Sequence, residues 1–90
     1  MTLTLTEDVQ WSRRTFDSLR SDGGIWGYPN AGLVYQRRGE ELVLTARMPF
    51  QRGMASFTTP AEWAEVQERE HQLVVEHFAL AGITVREEER

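Results

Sequence analysis

The stretch "AGLVYQRRGEELVLTARM", residues 31–48, constrains this chain more than any other. Apolar and polar residues alternate on both sides of a glycine, the pattern of a two-stranded hairpin with one covered face. A two-residue turn at Arg38-Gly39 sets Tyr35 opposite Leu42, Leu33 opposite Leu44 and Ala31 opposite Ala46. One face is then continuously apolar. Shifting the pairing by one residue sets Tyr35 opposite Glu41 and spoils that face, so the pattern chooses the register. The other face, carrying Val34, Val43, Gln36 and Glu41, is expected to be largely solvated.

Two helices flank the hairpin. "TEDVQWSRRTFDSLRSDGG" begins with a Thr cap at Thr6 and acidic Glu7 and Asp8, which suit a helix N-terminus. Val9, Ser12, Phe16 and Leu19 share one face of a helix over residues 7–20, and Asp22 with Gly23-Gly24 is read as its stop. The second helix is the strongest element. Thr59 caps it, Pro60 takes its first position, Glu62 completes a capping box, and Gly82 closes it after residues 60–81. Its apolar stripe reads Trp63, Val66, Leu73, Val74, Phe78, Leu80 and Ala81.

Short strands are expected at both ends. "TLTLT" alternates Leu3 and Leu5 against threonines, and "ITV" at 83–85 turns Ile83 and Val85 inward. The order βαββαβ predicts a single α+β domain over residues 1–90: a small antiparallel sheet with two helices on one face, ferredoxin-like in arrangement. With the N-terminal strand frayed, the order becomes αββαβ.

Composition bounds the function. Forty per cent apolar and 27% charged residues mark a globular chain, and a net charge of −4 is adverse for a nucleic-acid binder. Nucleic acid is also disfavoured because Tyr35, the sole strand aromatic in this reading, points inward rather than offering a stacking surface. There is no cysteine, which excludes disulfides, thiol catalysis and thiolate zinc sites. No apolar run approaches the ~18 residues of a membrane span, and the N-terminus lacks signal-peptide character, so the expected location is cytoplasmic. All ten basic residues are arginine, a usage that suits codon bias as well as bidentate anion contacts.

The candidate site lies in two loops. "GGIWGYPNAG" enters the hairpin and "PFQRGMASFT" leaves it at the same end, which should bring Trp26, Tyr28, Phe50, Met54 and Phe57 near Arg47 and Arg52. These rings either close the end of the core or are offered to a partner; aromatic and Arg side chains are the types enriched in binding hot spots. Glu70 and His77 interrupt the second helix's apolar stripe and are secondary candidates. His71 and His77 are six apart, on different faces, so they do not form the i, i+4 pair used for zinc. No nucleophile motif or phosphate loop is present, and no metal or other cofactor is expected. The sequence therefore points to a macromolecule-binding module with a protein partner (an adaptor, inhibitor or immunity-type protein), and to a homodimer protecting the sheet. The alternative is a small-ligand binder or simple enzyme with a cleft under the same loops.

Overall fold

A four-stranded mixed sheet carries both helices on one face. The computed structural model describes residues 5–53 and 59–88. The elements are α1 (Leu5–Asp17), β1 (Asp22–Tyr28), β2 (Leu33–Arg38), β3 (Glu41–Arg47), α2 (Pro60–Ala79) and β4 (Thr84–Glu87). Strands lie in the order β1-β2-β3-β4. β1, β2 and β3 are antiparallel neighbours, whereas β3 and β4 are parallel and joined through α2. Among the described residues the order is thus αβββαβ rather than βαββαβ, and the ferredoxin-like arrangement is not confirmed.

Two segments account for the difference. In "TLTLT", Leu5 and Thr6 belong to α1, while Thr2, Leu3 and Thr4 lie outside the described residues. The Gly-rich segment read as a helix stop and loop is instead β1. Its glycines mask a period of two, in which Trp26 pairs with Tyr35 and Tyr28 with Leu33 on the covered face. Gly23 (φ +124°) lies within a register shift between Asp22 and Ile25. Helix α1 ends earlier, and an arginine from the sheet serves its C-terminus. Arg37 Nη1 donates to the carbonyls of Phe16 and Leu19 at 3.1 and 3.0 Å, with its guanidinium 4.0 Å from the Phe16 ring centroid.

The central hairpin keeps the expected faces but moves its turn by one residue and its pairing by two. Arg38 pairs with Glu41, Arg37 with Leu42 and Tyr35 with Leu44, leaving Gly39-Glu40 as the turn. Gly39, at φ +65°, sits at the first central position, where a type II′ turn takes glycine. A shift of two preserves parity, so Leu33, Tyr35, Leu42 and Leu44 are all buried towards the helices. A bulge follows: Val34 pairs with Ala46, leaving Thr45 without a pair, and Thr45 Oγ1 donates to Val34 O at 3.3 Å. The extra residue turns Arg47, opposite Leu33, to the helix side. Val43, on the face expected to be solvated, is fully buried, flanked by its pair partners Gln36 and Arg86.

α2 starts as its sequence dictates: Thr59 Oγ1 accepts from Glu62 N at 3.1 Å, with Pro60 next. Its buried stripe is Trp63, Gln67, His71, Val74 and Phe78. That stripe is rotated from the purely apolar one, for Leu73 and Leu80 are exposed. Gln67 and His71 are admitted because the hairpin satisfies them. Gln67 Nε2 donates to Ala31 O and Met48 O at 3.0 and 2.8 Å, and His71 Nδ1 meets the Tyr35 hydroxyl at 2.9 Å. Phe16, Phe78 and Ile83 complete a core shared by both helices and the sheet.

Candidate functional site

The alternation in β1 aims Trp26 and Tyr28 at the helices. Trp26 packs against Tyr35 and Phe78, each with centroids 5.4 Å away, and lies beside Tyr28 at 5.9 Å. α1 brings a third ring. Ser12, fully buried, donates its hydroxyl to His77 O at 3.0 Å and so docks α1 on the last turns of α2. The preceding residue, Trp11, is thereby set at the seam, 5.8 Å from Trp26 and 5.7 Å from Phe78. From α2, Leu73 and His77 project one turn apart, with Val74 beneath. Together Trp11, Trp26, Tyr28, Leu73, Val74 and His77 line an open groove of about 350 Å³. Trp11 and Leu73, on facing elements, keep 42% and 43% of their surface exposed.

A carboxylate adjoins this aromatic groove. The Tyr28 hydroxyl donates to Glu70 Oε2 at 3.0 Å. Burial, the bond to Glu70 and the Glu70 charge all push the phenol pKa upward, in that order, so Tyr28 remains a neutral donor.

Of the residues singled out in the sequence, Trp26, Tyr28 and His77 meet in this groove, and Glu70 joins through Tyr28. Arg47 does not. It donates to Glu68 Oε2 at 3.3 Å and to Glu87 Oε1, tying α2 and β4 to β3. With Tyr28, Pro29 and Met48, Arg47 lines a second, shallower hollow of about 560 Å³ at the hairpin end. The two loops do meet there, for Met48 N donates to Gly32 O at 2.7 Å. Phe50 is half-buried and Arg52 exposed, and neither lines these two hollows. Met54 and Phe57 lie outside the described residues. Sequence reasoning missed Trp11, whose signal was an aromatic beside the buried face of an amphipathic helix. It also assigned Leu73 to the core.

A second polar cluster runs Tyr35–His71–Glu87. Burial raises the Tyr35 pKa well above the phenol range, so its hydroxyl stays protonated and shares a hydrogen bond with His71 Nδ1, whose Nε2 lies 3.7 Å from Glu87 Oε1. Burial lowers the His71 pKa, with the Arg47 charge acting in the same sense and Glu87 and Glu68 opposing. Tyr35 and His71 are closed to solvent, which makes the pair a tie between sheet and helix rather than a reaction centre. Among the described residues no cluster of three or more His, Asp or Glu is suited to a metal ion, and no helix is long and apolar enough to cross a membrane. Comparison with family models, with curated proteins and with solved structures finds no match to this chain.

Proposed function

We propose that this protein binds another macromolecule, as an adaptor, inhibitor or immunity-type protein, by taking an anchor side chain of a protein partner into the groove between α1, α2 and β1. The observation that carries this reading is the pair Trp11 and Leu73: large apolar residues on two helices, both more than two-fifths exposed, facing one aromatic-lined groove. Such an arrangement leaves apolar surface uncovered in the free protein and concentrates the ring types that dominate binding energy. The test is affinity capture from the native cell followed by titration of the purified partner. Trp11→Ala and Leu73→Ala should each weaken binding by about 1–2 kcal/mol, roughly tenfold, with little change in melting temperature. Undiminished affinity in both variants would remove the groove from the interface.

The groove volume also favours a second reading. About 350 Å³ lies within the roughly 300–1,000 Å³ typical of small-molecule pockets. A small ligand, or the substrate of a simple enzyme, would use Tyr28, Glu70 and His77 as its polar contacts. Calorimetric heat from a metabolite, with no captured protein, selects this alternative. The open face of the sheet is the surface through which two copies would form a homodimer, and a cytoplasmic location suits the cysteine-free composition.

A further inference from the structure

The charge and ring geometry of the groove narrow what it can hold. Trp26 and Tyr28 are stacked at 26°, and Trp11 stands at 68° to Trp26. His77 is at 88° to Trp11, with centroids 6.5 Å apart. Rings at several inclinations thus line one hollow and bring aromatic π surface to its walls. Glu70 adds a carboxylate behind the Tyr28 hydroxyl. Among the described residues, no arginine lines this groove, although the chain has ten. The guanidiniums of Arg13 and Arg37 instead approach Phe16, at 5.7 and 4.0 Å from its centroid.

Aromatic walls, a nearby carboxylate and the absence of arginine from the described lining are complementary to a positive guest within about 6 Å of the rings. The type of cation follows from hydrogen bonding. A guanidinium brings five N–H donors and an ammonium three, and each is left unsatisfied unless it finds an acceptor. Apart from His77 and the Tyr28 hydroxyl, the described lining of the groove offers rings and aliphatic carbon rather than acceptors. A quaternary ammonium has no N–H donor and carries its charge within a shell of methyl groups, which matches apolar walls. Leu73 and Val74 continue the groove as an aliphatic track for a hydrocarbon stem.

Accordingly, we propose that the groove recognises a quaternary ammonium on a side chain of the protein partner, that is, a trimethylated lysine. This rests on the reading that the groove is the binding site. The proposal is tested by titrating the full chain, followed by indole fluorescence and amide chemical shifts, with four probes. These are a short trimethyllysine peptide, the same peptide with unmodified lysine, its neutral analogue with carbon replacing the ammonium nitrogen, and choline. The trimethyllysine peptide should bind roughly tenfold tighter than the lysine and neutral peptides and shift the Trp11, Trp26 and Tyr28 signals. Trp11→Ala and Glu70→Gln should each reduce that preference several-fold.

Equal binding of the neutral peptide would overturn recognition of charge while leaving an apolar anchor site, so the proposed function would survive. Tighter binding of choline than of the peptide would overturn the assignment to a partner side chain. No response to any probe at about 10 mM, an affinity weaker than ~3 kcal/mol, would overturn the inference. The proposed function would then stand or fall on the partner titration alone. Should Glu70→Gln disturb the fold, the comparison of the four probes on the wild-type chain still decides.

Discussion

The neutral form of His71 is favoured by its surroundings, because the ring is buried against Tyr35 and Arg47 lies nearby. Its folded pKa lies below the ordinary 6.5, chiefly through burial, so the unfolded chain binds this proton more readily. The stabilisation is therefore fully present above about pH 6.5 and is lost as pH falls through the depressed folded value. Melting temperature should drop between pH 7.5 and pH 5, and His71→Gln should flatten the slope relative to wild type. An unchanged slope in the variant would assign the pH dependence elsewhere. Gly32 is a residue of a different kind. Its φ is +59°, and a Cβ there would come within 2.6 Å of Met48 Cβ and 3.2 Å of Trp63 Cζ2. Gly32→Ala combines backbone strain with a clash between both loops, and should cost about 2–4 kcal/mol in a denaturant melt. A loss below 0.5 kcal/mol, at the scale of ordinary surface substitutions, would mean that the loops yield freely.

Among the elements, β4 shows which interactions hold an edge. It pairs in parallel with β3, and the ion pairs Arg38–Glu88, Arg86–Glu41 and Arg47–Glu87 surround it. Exposed pairs of this kind contribute about 0–1 kcal/mol each, whereas the buried Ile83 leads the strand into the core. Ile83→Ala should therefore cost about 2–4 kcal/mol, and Glu87→Gln less than about 1 kcal/mol, with urea melts giving both values. The reverse ranking would place the strand's attachment in its charges. The same elements show how far the sequence could be read. Hairpin faces were legible because parity survives a shift of two residues, but the exact pairing was not, since Gly39 suits more than one turn. β1 was hidden by glycines that break the β-propensity signal while keeping its alternation. α2 was found with its cap, yet its buried stripe was misplaced. Apolarity cannot identify Gln67 and His71 as buried before their partners Ala31, Met48 and Tyr35 are placed. Half of the groove was legible for a related reason. Trp26, Tyr28 and His77 stand out on their own elements, whereas Trp11 becomes part of it only once Ser12 docks α1 on α2.

At the scale of the whole molecule, the extents of 36 × 33 × 18 Å describe a slab with one layer of sheet and one of helix. The helices cover one face of the sheet and leave the other open. On the open side Ile25 is 66% exposed, while Val34 is half-buried. Charges there alternate in sign, as in Arg38–Glu88 and Arg86–Glu41, so two copies laid face to face by a two-fold axis meet without net repulsion. Sedimentation at about 50 μM, a concentration that populates even an interface of ~6 kcal/mol, should therefore show the dimer mass. Ile25→Glu should return the chain to a monomer. Because Ile25 is already mostly solvated, the variant should melt within a few degrees of the wild-type monomer, corresponding to less than about 0.5 kcal/mol. The groove opens on the helix side, so dimerisation through the sheet leaves Trp11 and Leu73 accessible and Ile25→Glu should not alter partner affinity. A wild-type monomer at this concentration would remove the face-to-face dimer, and loss of partner binding in Ile25→Glu would show that the two surfaces are not independent.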